Sequence, residues 1–171
     1  LTHFEGGMHI PFFAKWPARI EQNMQYEKRI HHTDIFSTIL GAANITPPQD
    51  IKIDGVNLIP YLTNEAIGEP HETLYWKNAT YQAIIHKDWK LMRSKYPEER
   101  EYLYNLKIDP YETKNLAMTE IAMKDLLHEK LNTHINSLPE PSWPQSVYMP
   151  VVIDKPQTEY EEGDELVFWP N

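Results

Sequence analysis

Between residues 74 and 106 the sequence reads as short apolar runs broken by turns, and this constrains the fold more than any other feature. Leu74-Tyr75-Trp76, Gln82 to His86, Trp89 to Arg93 and Tyr102 to Leu106 are rich in aromatic and branched side chains. Each run is too short for a helix, and turn-forming residues separate them. The spacing predicts an antiparallel meander, with Lys87-Asp88 as the tight turn of its central hairpin. From 119 to 136 the period lengthens. Met123, Leu127, Leu131 and Ile135 recur every fourth residue, so a helix there has one apolar face. A helix that follows a sheet in this way covers one of its faces.

Two further segments flank this unit. The opening stretch reads as a turn at Gly6-Gly7 feeding a strand from Ile10 to Ala14, apolar enough to be buried on both faces. A helix is predicted to start at Thr33 or Asp34, either of which can cap it. Ile35, Phe36, Ile39, Leu40 and Ala43 form its apolar stripe. Asn44 is a stop, and Pro47-Pro48 forbids continuation. From Pro139 onward the chain is Pro-rich and acidic without helical period. It still carries Trp143, Tyr148, Val151, Val152, Ile153 and Phe168-Trp169, so it is expected to pack back as an extended tail. The fold class is α+β.

Charge narrows the partners. The 171 residues include 25 acidic and 16 basic side chains, a formal net charge of −9. Nucleic-acid binding needs a cationic surface that displaces counterions, so it is not expected. An anionic substrate remains compatible, because a few local cations can hold one anion. The absence of cysteine removes disulfides, thiolate metal sites and a cysteine nucleophile from this stretch. No apolar run approaches the ~18 residues of a membrane span. The chain opens at Leu1 without a signal segment, as a mature start or a fragment would. His31-His32-Thr33-Asp34 offers imidazole and carboxylate groups of the kind that bind metals. So many ligands in four residues at a helix start converge poorly on one ion, and Asp34 is expected to favour the helix macrodipole instead. His128 and His134 fall on different faces of the later helix, and the acidic run from Glu159 to Glu165 reads as a solvated stretch.

Five segments, in order, carry a resemblance. They are Glu5-Gly6-Gly7 with Ile10-Pro11; Thr33 to Leu40 with Ala42-Ala43; Ile53-Asp54-Gly55-Val56-Asn57-Leu58 with Pro60 and Leu62; Asp88-Trp89-Lys90-Leu91; and Leu103-Tyr104-Asn105-Leu106 followed by Asp109-Pro110, Glu112 and Asn115-Leu116-Ala117. Together they resemble the C-terminal part of the sulfatase family, within the alkaline-phosphatase-like superfamily. The resemblance implies that residues 1–65 end a large α/β domain. Residues 70–138 would then form a small C-terminal subdomain, an antiparallel sheet under one long helix, with 139–171 as the tail.

It also implies a chemistry centred elsewhere. Formylglycine and Ca2+ serve catalysis in such enzymes, and their ligands and nucleophile lie upstream. A sulfate-binding Lys is expected just ahead of Leu1, so no catalytic residue is carried over to this chain and no metal ligand is assigned in it. Thr2, His3 and Glu5 are the candidates adjacent to the active site. Glu5 is expected to hold its loop by bonding backbone amides or pairing with a cation. Trp76, Lys77 and Tyr81 are candidates for substrate contact, since aromatic faces stack on sugars and a cation pairs with their anionic groups. The implied partners are a sulfated small molecule or glycan and the missing N-terminal part of the same protein. The implied location is periplasmic or secreted. His9, Lys87 and Asn105 depart from the family's usual Arg, Gly and Asp. With Lys in place of Gly, the hairpin turn is expected to be of another type. Two other functions fit the same residues: a phosphoester or phosphonate hydrolase of the superfamily, and a non-catalytic carbohydrate-binding module.

Overall fold

The computed structural model describes residues 3–78, 81–94, 99–140, 142 and 161. Thr2, most of the tail and all of its acidic run except Glu161 lie outside them. The chain divides into two compact units, one of residues 11–74 and one of residues 1–10 with 75–171.

In the second of these units lie helix α1 (Glu5–Met8), strands β2 (Tyr81–His86), β3 (Trp89–Ser94) and β4 (Arg100–Asn105), and helix α4 (Ile121–Ser137). Strand β1 (Thr73–Lys77) completes a sheet of order β1-β2-β3-β4. The expected meander is present. His86 pairs with Trp89 across the turn, and Trp89 pairs with Asn105. Lys87 adopts φ 53°, the left-handed conformation that Gly takes freely. The turn therefore keeps this backbone with Lys in place, at a cost of about 1 kcal/mol.

Alternation along the strands gives the sheet two apolar faces. Ile84, Leu91 and Leu103 point to one face and meet Leu127 and Leu131 of α4; all five are 0% exposed. Met123 and Ile135 flank them, as the fourfold period requires. Ala83, Ile85, Met92, Tyr104 and Leu106 build the other face, against which Phe4, Met8, Trp76 and Tyr102 pack. The loop after β4 is ordered by two side chains. Asp109 accepts bonds from Thr113 N–H and Oγ1–H and from Lys114 N–H, each 2.9 Å long. Asn115 Oδ1 accepts from Leu103 and Ala117 N–H, while its Nδ2 donates to the Glu101 carbonyl. Asn115 thus satisfies backbone groups of β4 on its open side, where no further strand follows among the described residues.

Residues 11–74 hold helices α2 (Asp34–Ala42) and α3 (Ile59–Leu62). The predicted helix is there, and Asn44 ends it with φ 54°. Its capping differs from expectation. Thr33 makes no side-chain cap, and Asp34, the first helical residue, is fully buried. The loop through Gly55 presses on the helix start: a Cβ on Gly55 would clash with the Thr33 carbonyl, and one on Gly41 with Asn57. Ser37 Oγ donates to the Gly55 carbonyl and Leu58 N–H to Thr38 Oγ1. These contacts explain the Gly and small polar residues of the second and third motifs.

The opening strand is a correction. Gly6-Gly7 lie within the single turn of α1, and residues 9–16 form no strand. Ile10 is 71% exposed and Phe13 89%. A strand is stabilised by a neighbour's hydrogen bonds, and the described sheet consists of β1–β4 alone.

Candidate functional site

The segment of residues 3–8 lies on the second face of the sheet. Phe4 places its ring 5.5 Å from Tyr102, edge to face, and 6.3 Å from Tyr104. One residue on, Glu5 reaches the strand itself. Lys90 Nζ donates to Glu5 Oε1 at 2.8 Å and lies 2.8 Å from Glu112 Oε1. Glu112 Oε2 accepts the Glu5 backbone N–H at 2.6 Å. The Lys90 side chain is 0% exposed and that of Glu112 4%. His9 Nδ1 stands 3.5 Å from the other Glu5 oxygen. The expectation that Glu5 pairs with a cation thus finds its partner in Lys90.

Burial and charge set the protonation here. Burial pushes the Glu112 carboxyl above its ordinary value, against the opposing pull of Lys90 and the Glu5 N–H. His3 is driven the other way, to about 4, by burial and then by the Lys90 charge. Its imidazole is therefore neutral at neutral pH. The ring lies 5.8 Å from that of Tyr81, and its buried Nδ1 has no partner among the described residues. The Tyr81 hydroxyl is raised mainly by burial, partly offset by its bond to Ser94.

Of the sequence candidates, His3, Glu5, Trp76 and Tyr81 are gathered on this face. Lys77 follows Trp76 along β1, so alternation turns it towards the face of Tyr75, and it is exposed. Thr2 lies outside the described residues. Lys90 and Glu112 were not singled out from sequence. A signal existed for Lys90: it occupies a core-facing register position between Ile85 and Tyr104, where a lone Lys requires a buried partner. Glu112 carried no such signal beyond its place in the fifth motif, and its left-handed φ of 56° is displayed only by the structure.

Residues 11–74 have their own acidic centre. Asp34 Oδ2 accepts His31 N–H at 2.7 Å, Oδ1 accepts Val56 N–H at 2.8 Å, and His71 Nε2 lies 2.8 Å from both oxygens. The carboxylate binds backbone and imidazole, and the metal reading of the His31–Asp34 run finds no support. Among the described residues no three His, Asp or Glu side chains are placed to hold a metal ion. No helix among these residues is long and apolar enough to cross a membrane.

Comparison with known proteins places this geometry. The family described as N-sulphoglucosamine sulphohydrolase, C-terminal, matches residues 2–140. The chain is 41% identical over 73 residues to the sulfatase YdeN of Escherichia coli (strain K12), covering 43% of this chain and 13% of that protein. It is 43% identical over 61 residues to human N-acetylgalactosamine-6-sulfatase, covering 36% of this chain and 12% of the human protein. The chain thus spans only a small part of these relatives. A solved structure from a Bacteroides thetaiotaomicron locus for metabolism of multiple glycosaminoglycans shares its fold. The TM-score is 0.57 at 22% identity, over 71% of this chain and 28% of that one. The motifs, the antiparallel sheet under its helix and the match across residues 2–140 agree, and the chain belongs to the N-sulphoglucosamine sulphohydrolase C-terminal family, as a sulfatase C-terminal region.

Proposed function

We propose that this chain is part of an enzyme that hydrolyses sulfate esters of sulfated glycans, acting with a catalytic centre built from the rest of the protein. The family match over residues 2–140 carries this reading. The identity to a human enzyme named for a sulfated hexosamine supports the glycan class. Formylglycine and calcium would supply the nucleophile and polarise the sulfate, outside this chain. The residues here bind and orient. His3, neutral and only part-buried, offers its imidazole to a sulfate or hydroxyl oxygen. Trp76 and Tyr81 offer aromatic faces to a sugar ring, while Lys77, turned to the opposite face of β1, stands apart from them. Glu5 serves by holding the segment in place.

In this reading residues 1–65 complete a larger α/β domain, whose remainder covers the apolar side chains that α2 exposes. Residues 70–138 form the subdomain, followed by the tail of residues 139–171, and the enzyme is exported to the periplasm or secreted. The test is ion chromatography of sulfate released by the full-length mature protein. Substrates are N-acetylgalactosamine 6-sulfate, N-acetylglucosamine 6-sulfate and, as the rival, a phenylphosphonate monoester. Sulfate release from the sugars is expected. Turnover of the phosphonate alone would assign the chain to the phosphonate hydrolases. Binding of the sugars without turnover would make it a carbohydrate-binding protein.

A further inference from the structure

Lys90 is out of character with its surroundings. It sits in register between Ile85 and Tyr104, on a face otherwise built from apolar and aromatic side chains. An ammonium fully removed from water is costly unless paired with good geometry. Here it is paired twice, with Glu5 and with Glu112, both at 2.8 Å. The Glu5 N–H closes the triangle on Glu112. Two hydrogen bonds and an ion pair therefore join α1, strand β3 and the loop after β4 at one point.

The clasp also carries a backbone cost. Glu112 holds φ 56°, a conformation that L residues other than Asn and Asp seldom adopt. A buried ion pair of this kind can often be replaced by apolar side chains without loss of stability. What it supplies that apolar packing does not is direction: fixed donors and acceptors set where Glu5 lies. That matters for α1, which has only four residues, no side-chain cap and no buried residue of its own. So short a helix does not persist unaided.

His3 lies two residues before Glu5. Its Nδ1 finds no protein partner among the described residues, so that atom anchors nothing. The ring's place beside Tyr81 follows from the chain that carries it, pinned at Phe4 by the tyrosines and at Glu5 by the clasp.

We propose that Glu5 is a positioning residue: gripped by Lys90 and Glu112, it holds the part-buried His3 imidazole beside Tyr81, where the accessible part of the ring meets a hydroxyl or sulfate oxygen of the substrate. This rests on the reading that this face meets a sulfated sugar. The low proton affinity of His3 fits it, because a neutral ring recognises such an oxygen by a hydrogen bond.

The test uses the full-length mature protein with isotope-labelled histidine and tyrosine. Glu5→Gln leaves the Lys90–Glu112 pair in place. It is expected to abolish the His3–Tyr81 ring cross-peak in nuclear Overhauser spectra. It should lower kcat/KM for N-acetylgalactosamine 6-sulfate about tenfold. His3→Ala should cost a similar factor. The double variant should be little worse than either single one, because both changes disturb the same group. A retained cross-peak in Glu5→Gln overturns the proposal, as do single losses that multiply in the double variant. If Glu5→Gln does not fold, Glu5→Asp, one methylene short of Lys90, is read by the same criteria. A lost cross-peak with His3→Ala kinetically silent supports the clasp and removes the substrate role of this face. If no sulfate ester is turned over, the cross-peak alone decides.

Discussion

The two units treat their apolar side chains in opposite ways. Where the sheet meets α4, Ile84, Leu91, Leu103, Leu127 and Leu131 are all sealed from water. In residues 11–74, helix α2 presents an equally regular stripe, yet Ile35, Phe36 and Ile39 are 42%, 57% and 60% exposed. The first region contains both halves of its core. The second leaves the α2 stripe uncovered; it buries Leu58 and Ile59 and adds polar contacts centred on Asp34. A hydrophobic period in sequence therefore specifies a face, while its burial depends on whether the covering element belongs to the same unit.

The acidic centres differ in the same sense. Asp34 is satisfied by two backbone N–H groups and an imidazole. Glu5 and Glu112 are held by a buried ammonium. The largest effect is therefore expected at the ammonium. Lys90→Met leaves two carboxylates facing each other without their cation and should cost roughly 3–5 kcal/mol by chemical denaturation. A loss under 1 kcal/mol would show that the clasp is dispensable to the folded unit.

Next comes the contrast between cores. Leu131→Ala removes a fully buried side chain and should cost about 3 kcal/mol. Ile39→Ala, on the exposed stripe, should cost below about 1 kcal/mol in the 171-residue chain. Equal costs would erase the distinction between the two regions. Asp34→Asn replaces one acceptor oxygen by a donor facing other donors. About 2 kcal/mol of stability is expected to go, with α2 loosened before the sheet.

The smallest effect is the response to acid. Burial lowers His3 from 6.5 to about 4, so its contribution is full above pH 6.5 and is lost as pH falls towards 4. Glu112 is raised, so its contribution has the opposite sign: full below its ordinary 4.5 and lost as pH rises through its folded value. Thermal melts of His3→Ala should fall less steeply than wild type between pH 6.5 and 4. Parallel curves would contradict the buried neutral imidazole.

Much of the fold was legible because it rests on local period. The fourfold repeat of α4 and the paired runs of the meander each declare their own face. The strand expected at Ile10 to Ala14 was not formed, because an apolar run specifies burial and not the partner that would supply it. The site was legible in part. Glu5 was expected to pair with a cation, but its partners lie 85 and 107 residues away, and no spacing rule links them. Lys77 was grouped with Trp76 by adjacency, although adjacent strand residues face opposite ways. Asp34 looked like a cap, but its distant partners, Val56 and His71, lie 22 and 37 residues further on, and the glycine beside Val56 allows that loop its close approach.

Amide hydrogen exchange tests the contrast between the regions most directly, measured on the 171-residue chain and on the full-length protein. In the shorter chain the amides of β2, β3, β4 and the Leu127–Leu131 turn of α4 should be protected close to the global unfolding limit. Those of α2 from Phe36 to Leu40 should exchange orders of magnitude faster and gain protection in the longer protein. Protection of α2 equal to that of the sheet in the 171-residue chain would contradict the account.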